Sequence, residues 1–153
     1  MRHQAGGRSA PRVCLTDTGL LAYLAGLTDA RLAEHAAATG PLLENFVAME
    51  LIKQLSWSNV RASLYHFRSH SGEEVDLILE ADDGRLVGIE VKASSTLNTR
   101  DAKGLENLRS IAGRRFQCGL ILYTGREALA FGRDLWALPV ATLWRLDARR
   151  SRK

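Results

Sequence analysis

The sequence contains little cysteine and no long apolar run. Its two cysteines, Cys14 and Cys118, lie far apart and fit no CxxC or Cys/His ligand spacing, which argues against a disulfide framework and a zinc site. No apolar stretch approaches the roughly 20 residues of a membrane span. Residues 1–11 also lack the apolar stretch of a signal peptide. We therefore expect a cytoplasmic location and no membrane partner.

A phosphate-binding GxxxxGK[ST] loop is also absent, so no nucleotide site is expected in this chain. The formal net charge of +4 is concentrated at the two ends, because residues 13–144 hold 13 basic and 16 acidic side chains. Basic ends can bind nucleic-acid backbones non-specifically, but they also keep proteins soluble. With 46% hydrophobic and 25% charged residues, the composition is that of an ordinary globular protein large enough for one core.

Apolar periodicity and turn residues predict an α/β chain. Helices are expected over residues 17–25, 30–39, 41–56 and 98–111, the third beginning at Pro41 and the fourth capped by Asn98 or Thr99. Strands are expected over residues 60–68, 74–81, 85–92, 116–124 and 135–144, the last a shorter or edge strand interrupted by Pro139.

Four segments follow from this pattern. They are a disordered basic lead-in (1–12), an N-terminal helical segment (13–39), a folded domain (40–144) and a basic tail (145–153). The apolar stretch 15–27 would leave a hydrophobic patch if a partner module were missing, which favours a homo-oligomer.

The stretch EVDLILEADDGRLVGIEVK, residues 74–92, predicts a hairpin with acidic residues on one face. Val75, Leu77 and Leu79 alternate with polar positions, so they are expected to face the core. A three-residue loop with Gly84 at the position of positive φ pairs Ala81 with Arg85 and centres the hairpin on residue 83.

In this register Asp76 faces Glu90, and Glu74 faces Lys92. Two carboxylates at directly opposed positions repel each other. Either water screens them on an exposed face, with Glu74 and Lys92 as a plain ion pair, or a cation lies between them. Mg²⁺ suits the second alternative, because it takes one or two carboxylates and keeps several waters. Glu44, which borders the apolar stripe of the third helix, also needs a partner.

The pattern D-x13-E-x-K at Asp76, Glu90 and Lys92, on strands that follow a helix carrying Glu44, resembles the PD-(D/E)XK nuclease superfamily. The resemblance implies a restriction-endonuclease-like three-layer core in αβββαβ order, with a mixed sheet flanked by helices. Val75 stands where the superfamily pattern has a proline. A narrower set of motifs is similar to a C-terminal domain of unassigned function in bacterial and archaeal AAA-type ATPases: LTDTGLLAYLAGL, GPLLENFVAMELIKQL, LYHFRS, GEEVDLILE and LVGIEVKAS.

The resemblance implies that Asp76, Glu90 and Glu44 bind Mg²⁺ or Mn²⁺ and that Lys92 orients the attacking water or stabilises the phosphorane charge. Glu74 matches an acidic position without a settled role. The expected function is metal-dependent hydrolysis of a DNA phosphodiester, with an ATPase module as partner. The alternative is a non-catalytic module that binds nucleic acid or protein on the same scaffold, because fold does not dictate function.

Overall fold

The computed structural model describes residues 13–34, 36–68 and 72–145. The predicted lead-in, 1–12, and all but the first residue of the predicted tail lie outside the described residues. In chain order the elements are α1 (Thr18–Leu24), α2 (Asp29–Glu34), α3 (Ala36–Trp57), β1 (Ala62–Arg68), β2 (Glu74–Ala81), β3 (Leu86–Lys92), α4 (Lys103–Ala112), β4 (Phe116–Tyr123), β5 (Leu129–Gly132) and β6 (Leu135–Pro139). Short 3-10 segments cover Thr99–Ala102, Gly113–Arg115 and Val140–Trp144.

Six strands form one mixed sheet in the order β1-β2-β3-β4-β6-β5. The β1–β2, β2–β3 and β5–β6 pairs are antiparallel, and β3–β4 and β4–β6 are parallel. One face packs on α3 through Val47, Ala48 and Leu51, and the other packs on α4 through Leu105 and Leu108. The predicted mixed sheet flanked by helices is confirmed.

Helix α3 begins earlier than its sequence predicts. Proline is well suited to the first turn of a helix, so Pro41 was expected to start it, but Pro41 lies inside a helix that begins at Ala36. The predicted boundary between residues 39 and 40 therefore falls within α3. Proline removes one backbone hydrogen bond from a helix interior, and the apolar face of the following turns supplies the packing that holds the helix together.

Two adjacent glycines allow α4 to lie close to the sheet. Gly88 of β3 pairs with Gly119 of β4, and Leu105, which is fully buried, lies over both. A Cβ atom on Gly88 would stand 2.7 Å from a methyl carbon of Leu105. The sheet face that carries Gly88 is thus covered by a helix and is not the wet surface that was one alternative for the hairpin.

The last part of the sheet differs from the prediction. Residues 135–144 were expected to form one shorter or edge strand, but β6 ends at Pro139 and lies between β4 and β5. The edge is β5, which the sequence analysis did not predict. A tight turn through Gly132 and Asp134, both with positive φ, joins the two strands. With four residues, β5 is too short to give a clear alternating pattern.

The N-terminal segment is attached to α3 by one buried amide. Asn45, 6% exposed, accepts a hydrogen bond from the Leu15 N–H at 2.9 Å and donates from Nδ2 to the Leu15 carbonyl at 3.0 Å and to the Thr18 hydroxyl at 3.1 Å. Helix α1 then begins with Asp17 as its N-cap. Its Leu20, Tyr23 and Leu24 are exposed, as expected for the patch predicted in 15–27; self-association through this patch stays a prediction.

Asn45→Ala is expected to detach this segment. The substitution leaves the Leu15 backbone groups and the Thr18 hydroxyl without their partner, at a cost of about 1–3 kcal/mol in the free energy of unfolding. Hydrogen exchange should speed up at residues 15–24 more than in β3. Thr18→Ala, which removes one of the three bonds, is the matched control and should have the smaller effect. Equal protection of residues 15–24 in Asn45→Ala and the unaltered protein would contradict the prediction.

Candidate metal and phosphodiester site

The hairpin register predicted from its loop is confirmed for residues 77–80 and 86–89. Leu77 pairs with Ile89, Ile78 with Gly88, Leu79 with Val87 and Glu80 with Leu86, so the hairpin is centred on residue 83. The Ala81 N–H donates to the Arg85 carbonyl at 2.9 Å, and Gly84 has a φ of 84° as the loop requires. The turn therefore directs Asp76 and Glu90 to the same end of the hairpin.

A β-bulge at Asp76 breaks the alternation that was expected along β2. Tyr65 of β1 pairs with Ile78 and Phe67 pairs with Val75. The interval is two residues on β1 and three on β2, so β2 holds one extra residue here. Val75 belongs to the same core cluster as Ile78, on the α4 face, while Leu77 lies on the α3 face. The expectation that Val75 shares a face with Leu77 is wrong. An extra residue in one strand turns the chain over locally.

The bulge gives the Asp76 carboxylate a place in the backbone ladder. Asp76 is 8% exposed, and its Oδ2 accepts a hydrogen bond from the Val91 N–H at 2.9 Å. The side chain thus takes the position of a backbone acceptor opposite β3. A charged acceptor makes this bond stronger than one between neutral groups. Asp76 is therefore held next to the E-x-K segment by the strand itself.

Glu90 is an acid whose pKa the fold shifts strongly. Its side chain is 13% exposed, Oε1 accepts a hydrogen bond from Lys92 Nζ at 2.9 Å, and Oε2 is buried with no hydrogen-bond partner in the described chain. Burial, helped by the negative charge of Asp76 and opposed by Lys92 and by a weaker hydrogen bond from the Asp76 backbone N–H, raises the pKa of Glu90 to about 7. A carboxyl group with this pKa can change its protonation state near neutral pH.

Lys92 lies two residues beyond Glu90 on the same face and stays charged. Burial alone would lower the pKa of Lys92, but the hydrogen bond to Glu90 and the charges of Glu90, Asp76 and Asp101 outweigh burial and raise it. The expected alternative, an exposed ion pair between Glu74 and Lys92, is wrong. Lys92 pairs with Glu90, and Glu74 pairs with Arg68 across the β1–β2 ladder at 2.9 Å.

Glu44, the third predicted ligand, comes from a helix and not from the hairpin. It lies on α3 and lines a separate cavity of about 370 Å³ with Asn45, Ala48 and Leu77. Strand alternation instead directs Glu90 and Lys92 to the α4 face, together with Gly88, because Ile89 and Val91 pack on the α3 side. Within residues 13–34, 36–68 and 72–145, no three His, Cys, Asp or Glu side chains are placed to share one metal ion.

Two features of the site escaped the sequence analysis. The bulge at Asp76 has no glycine or proline to signal it. Asp101, whose charge acts on Lys92, comes from the turn before α4, where its Oδ2 accepts a hydrogen bond from the Asn98 N–H at 2.7 Å. The sequence signal for Asp101 was the capping box of this helix, which predicts a helix start but not a neighbour of Lys92.

The two carboxylates fit a hard divalent cation. Mg²⁺ commonly takes one or two carboxylates and keeps several waters, and the buried Oε2 of Glu90 is an oxygen that lacks a partner in the described chain. Asp76 and Glu90 are the residues that would bind it. A cation would also offset the burial and the repulsion from Asp76 that together raise the pKa of Glu90. None of the described helices is long and apolar enough to cross a bilayer.

Comparison with known proteins adds a family. The family model described as "Domain of unknown function (DUF4143)" matches residues 39–143. Two uncharacterized curated proteins, Mb2031c of Mycobacterium bovis and Rv2008c of Mycobacterium tuberculosis, are each 35% identical over 89 residues, which are 58% of this chain. The matched region is 19% of each relative's length.

One solved structure is similar in part. It is a chain from the refined half-complex of a tetradecameric assembly of Thermococcus gammatolerans McrB AAA+ hexamers with bound McrC. The identity is 11%, the TM-score is 0.45, and the match covers 65% of this chain and 27% of that chain. At this TM-score a common fold does not follow.

Proposed function

This chain belongs to the DUF4143 family, and we propose that it is a metal-dependent phosphodiester hydrolase that acts on DNA. The observation that carries the proposal is the buried Glu90, with Lys92 on one oxygen and no partner on the other, beside Asp76. The element order from α3 to β4 is αβββαβ, which supports a PD-(D/E)XK-like core. The sequence motifs that resemble ATPase-linked domains favour an AAA-type ATPase as partner.

The residues divide the chemistry among them. Asp76 and Glu90 would hold the cation, which when bound polarises the phosphate and lowers the pKa of a water. Lys92 Nζ carries a positive charge 2.9 Å from Glu90, so it can donate a hydrogen bond to the attacking water or to a phosphate oxygen. The α4 helix covers the same sheet face next to the site, which keeps Glu90 and Lys92 partly shielded from water.

DNA cleavage tests the proposal. Purified protein with Mg²⁺ or Mn²⁺ should cleave at least one of plasmid, single-stranded and branched DNA. Lys92→Ala should slow cleavage by about 100-fold, as expected for loss of one charge-stabilising donor. Lys53→Ala, at an exposed lysine of α3 paired with Glu50, is the matched control and should cleave at the normal rate. Cleavage that is absent, or unchanged in Lys92→Ala, would exclude the hydrolase.

A second candidate is a module that binds nucleic acid or protein without hydrolysis. Two observations favour it: the Asp76 carboxylate has a structural task in the ladder, and the described residues offer no third ligand close to the pair. Calorimetry separates the two candidates. The binding module predicts no heat on titration with Mn²⁺, whereas the hydrolase predicts binding that Glu90→Gln removes.

A further inference from the structure

Positive charge is concentrated around α4. Residues 99–115 hold five basic and two acidic side chains, whereas the remainder of 13–144 holds eight basic and fourteen acidic ones. The folded body is therefore acidic overall, with one basic element. A surface of this kind attracts polyanions to one side of the molecule and repels them elsewhere.

The basic residues form a ridge along the solvent side of α4. Arg100 and Lys103 are exposed one turn apart at the start of α4, Arg114 is exposed just past its end, and the opposite side of α4 buries Leu105 and Leu108. We name Arg100, Lys103, Arg109, Arg114 and Arg133 the α4 ridge. It begins at the candidate site, since a Cβ atom on Gly104 would touch the Glu74 carbonyl, two residues before Asp76.

The far end of the ridge is a basic crevice. A cavity of about 630 Å³ is lined by Arg109, Arg114 and Arg133, with Ser110 and Phe116 and the acids Glu106 and Asp134. Arg109 donates from Nη1 to the Arg133 carbonyl at 2.6 Å, which fixes its guanidinium at the crevice and leaves its other N–H groups available. Arg133 is 88% exposed at its side chain and lies 3.6 Å from Asp134.

Stabilisation of the helix does not explain the whole ridge. Cations near a helix C-terminus interact favourably with the helix dipole, which accounts for Arg109 and Arg114. Arg100 and Lys103 stand at the opposite end, where the dipole disfavours positive charge; Lys103 pairs there with Glu73 at 3.4 Å, which leaves Arg100 to be explained. A ligand that spans both ends accounts for all of them. The ten residues of α4 cover about 15 Å, roughly four phosphates along one strand of a duplex.

We propose that the α4 ridge binds the phosphodiester backbone of duplex DNA, with Arg109, Arg114 and Arg133 as the anchor distant from the Asp76–Glu90 pair. The inference rests on the proposed function for the identity of the polyanion, and it deepens that function by placing the substrate along α4. The described part of α4 carries no aromatic side chain, so base stacking does not contribute there, and contacts to phosphates carry no sequence information.

The test measures DNA binding under conditions that prevent cleavage. A fluorescein-labelled duplex of random sequence is titrated with protein in EDTA at several NaCl concentrations. Arg109→Gln/Arg114→Gln/Arg133→Gln should weaken binding by roughly 10- to 100-fold and reduce the slope of log K against log salt by about 3. The triple Arg→Lys variant should retain most of the affinity. The matched control removes the same charge elsewhere, with Arg31→Gln/Lys53→Gln/Arg61→Gln, and should keep the slope.

The outcomes separate the ridge from the hydrolase. An equal loss of DNA affinity in the ridge and control variants would overturn the proposal, because net charge or the basic ends would then account for binding. Normal cleavage by the ridge variant would also overturn it and leave the hydrolase intact. Ridge-dependent binding without cleavage in Mg²⁺ or Mn²⁺ would support the ridge and exclude the hydrolase. If polyglutamate of equal charge displaces the labelled duplex as well as unlabelled DNA does, the ridge would bind an acidic protein partner, and the assignment of DNA as its ligand would be overturned.

Discussion

Glu90→Gln is expected to abolish cation-dependent hydrolysis and, at the same time, to stabilise the protein above neutral pH. The amide keeps an oxygen for Lys92 Nζ but cannot supply a negative ligand, so Mn²⁺ binding should be lost and cleavage should fall by about 1000-fold or more. A residue that is costly to the fold and needed for the reaction is typical of functional sites.

The gain in stability follows from the pKa. The folded protein raises the pKa of Glu90 from 4.5 to about 7, so it binds the proton more tightly than the unfolded chain does. The resulting stability is present below about pH 4.5 and is lost as the pH rises through 7. Glutamine resembles the protonated acid at every pH. Glu90→Gln should therefore exceed the free energy of unfolding of the unaltered protein by less than about 1 kcal/mol at pH 5 and by about 3 kcal/mol at pH 8.

Urea unfolding at pH 5 and pH 8, with and without Mn²⁺, measures both effects. Mn²⁺ should stabilise the unaltered protein at pH 8 by mass action and leave Glu90→Gln unchanged. Glu74→Gln is the control, because Glu74 is an exposed partner of Arg68 and should alter neither cation binding nor the pH dependence. A difference between Glu90→Gln and the unaltered protein that is the same at both pH values would contradict this account of Glu90.

Gly104→Ala is expected to destabilise the domain strongly although it lies in a helix. Alanine usually improves a helix interior by about 1 kcal/mol over glycine. Here the added Cβ would stand 2.1 Å from the carbonyl oxygen of Glu74, a backbone atom that cannot rotate away. The unfavourable contact outweighs the gain in helix propensity, because the contact can be relieved only if α4 moves away from the Gly88–Gly119 pair. We expect a loss of about 3 kcal/mol or more in the free energy of unfolding.

The same movement would disturb the site, since Glu74 leads into the bulge at Asp76. Thermal and urea unfolding measure the stability, and the pH dependence assigned to Glu90 reports on the site. Ser110→Ala is the matched control, at an exposed position of the same helix, and should change stability by about 0.5 kcal/mol or less. A Gly104→Ala protein as stable as the parent would show that α4 does not press on β2 as described.

Local signals predicted the hairpin well. The register of β2 and β3 depends on one loop, and Gly84 with Ala81 and Arg85 was enough to place Asp76 and Glu90 at the same end. The span from Asn98 to Gly113 was equally readable, because a capping side chain begins it and a glycine with positive φ ends it. Such features involve residues a few positions apart, so the sequence carries them directly.

The missed features depend on distant contacts. The start of α3 before Pro41 and the position of β5 outside β6 are decided by packing that no local pattern encodes. Glu44 lies on α3, far in sequence from Asp76 and Glu90, so no local pattern could fix its distance from them. The bulge at Asp76 is visible only when β1 is paired with β2. The predicted metal role of Glu44 therefore stays a prediction.

The bulge has one more consequence, for how reliably the chain folds. Val75 and Ile78 are buried on one face and Leu77 on the other, so the two parts of β2 follow opposite in-and-out patterns. When a hairpin slips by one residue, every side chain of a regular strand moves to the opposite face of the sheet. In β2 a slip would move the buried Asp76 carboxylate away from the Val91 N–H and place it against an apolar partner. The bulge that sets the Asp76 carboxylate opposite β3 thereby also disfavours misaligned pairings during folding.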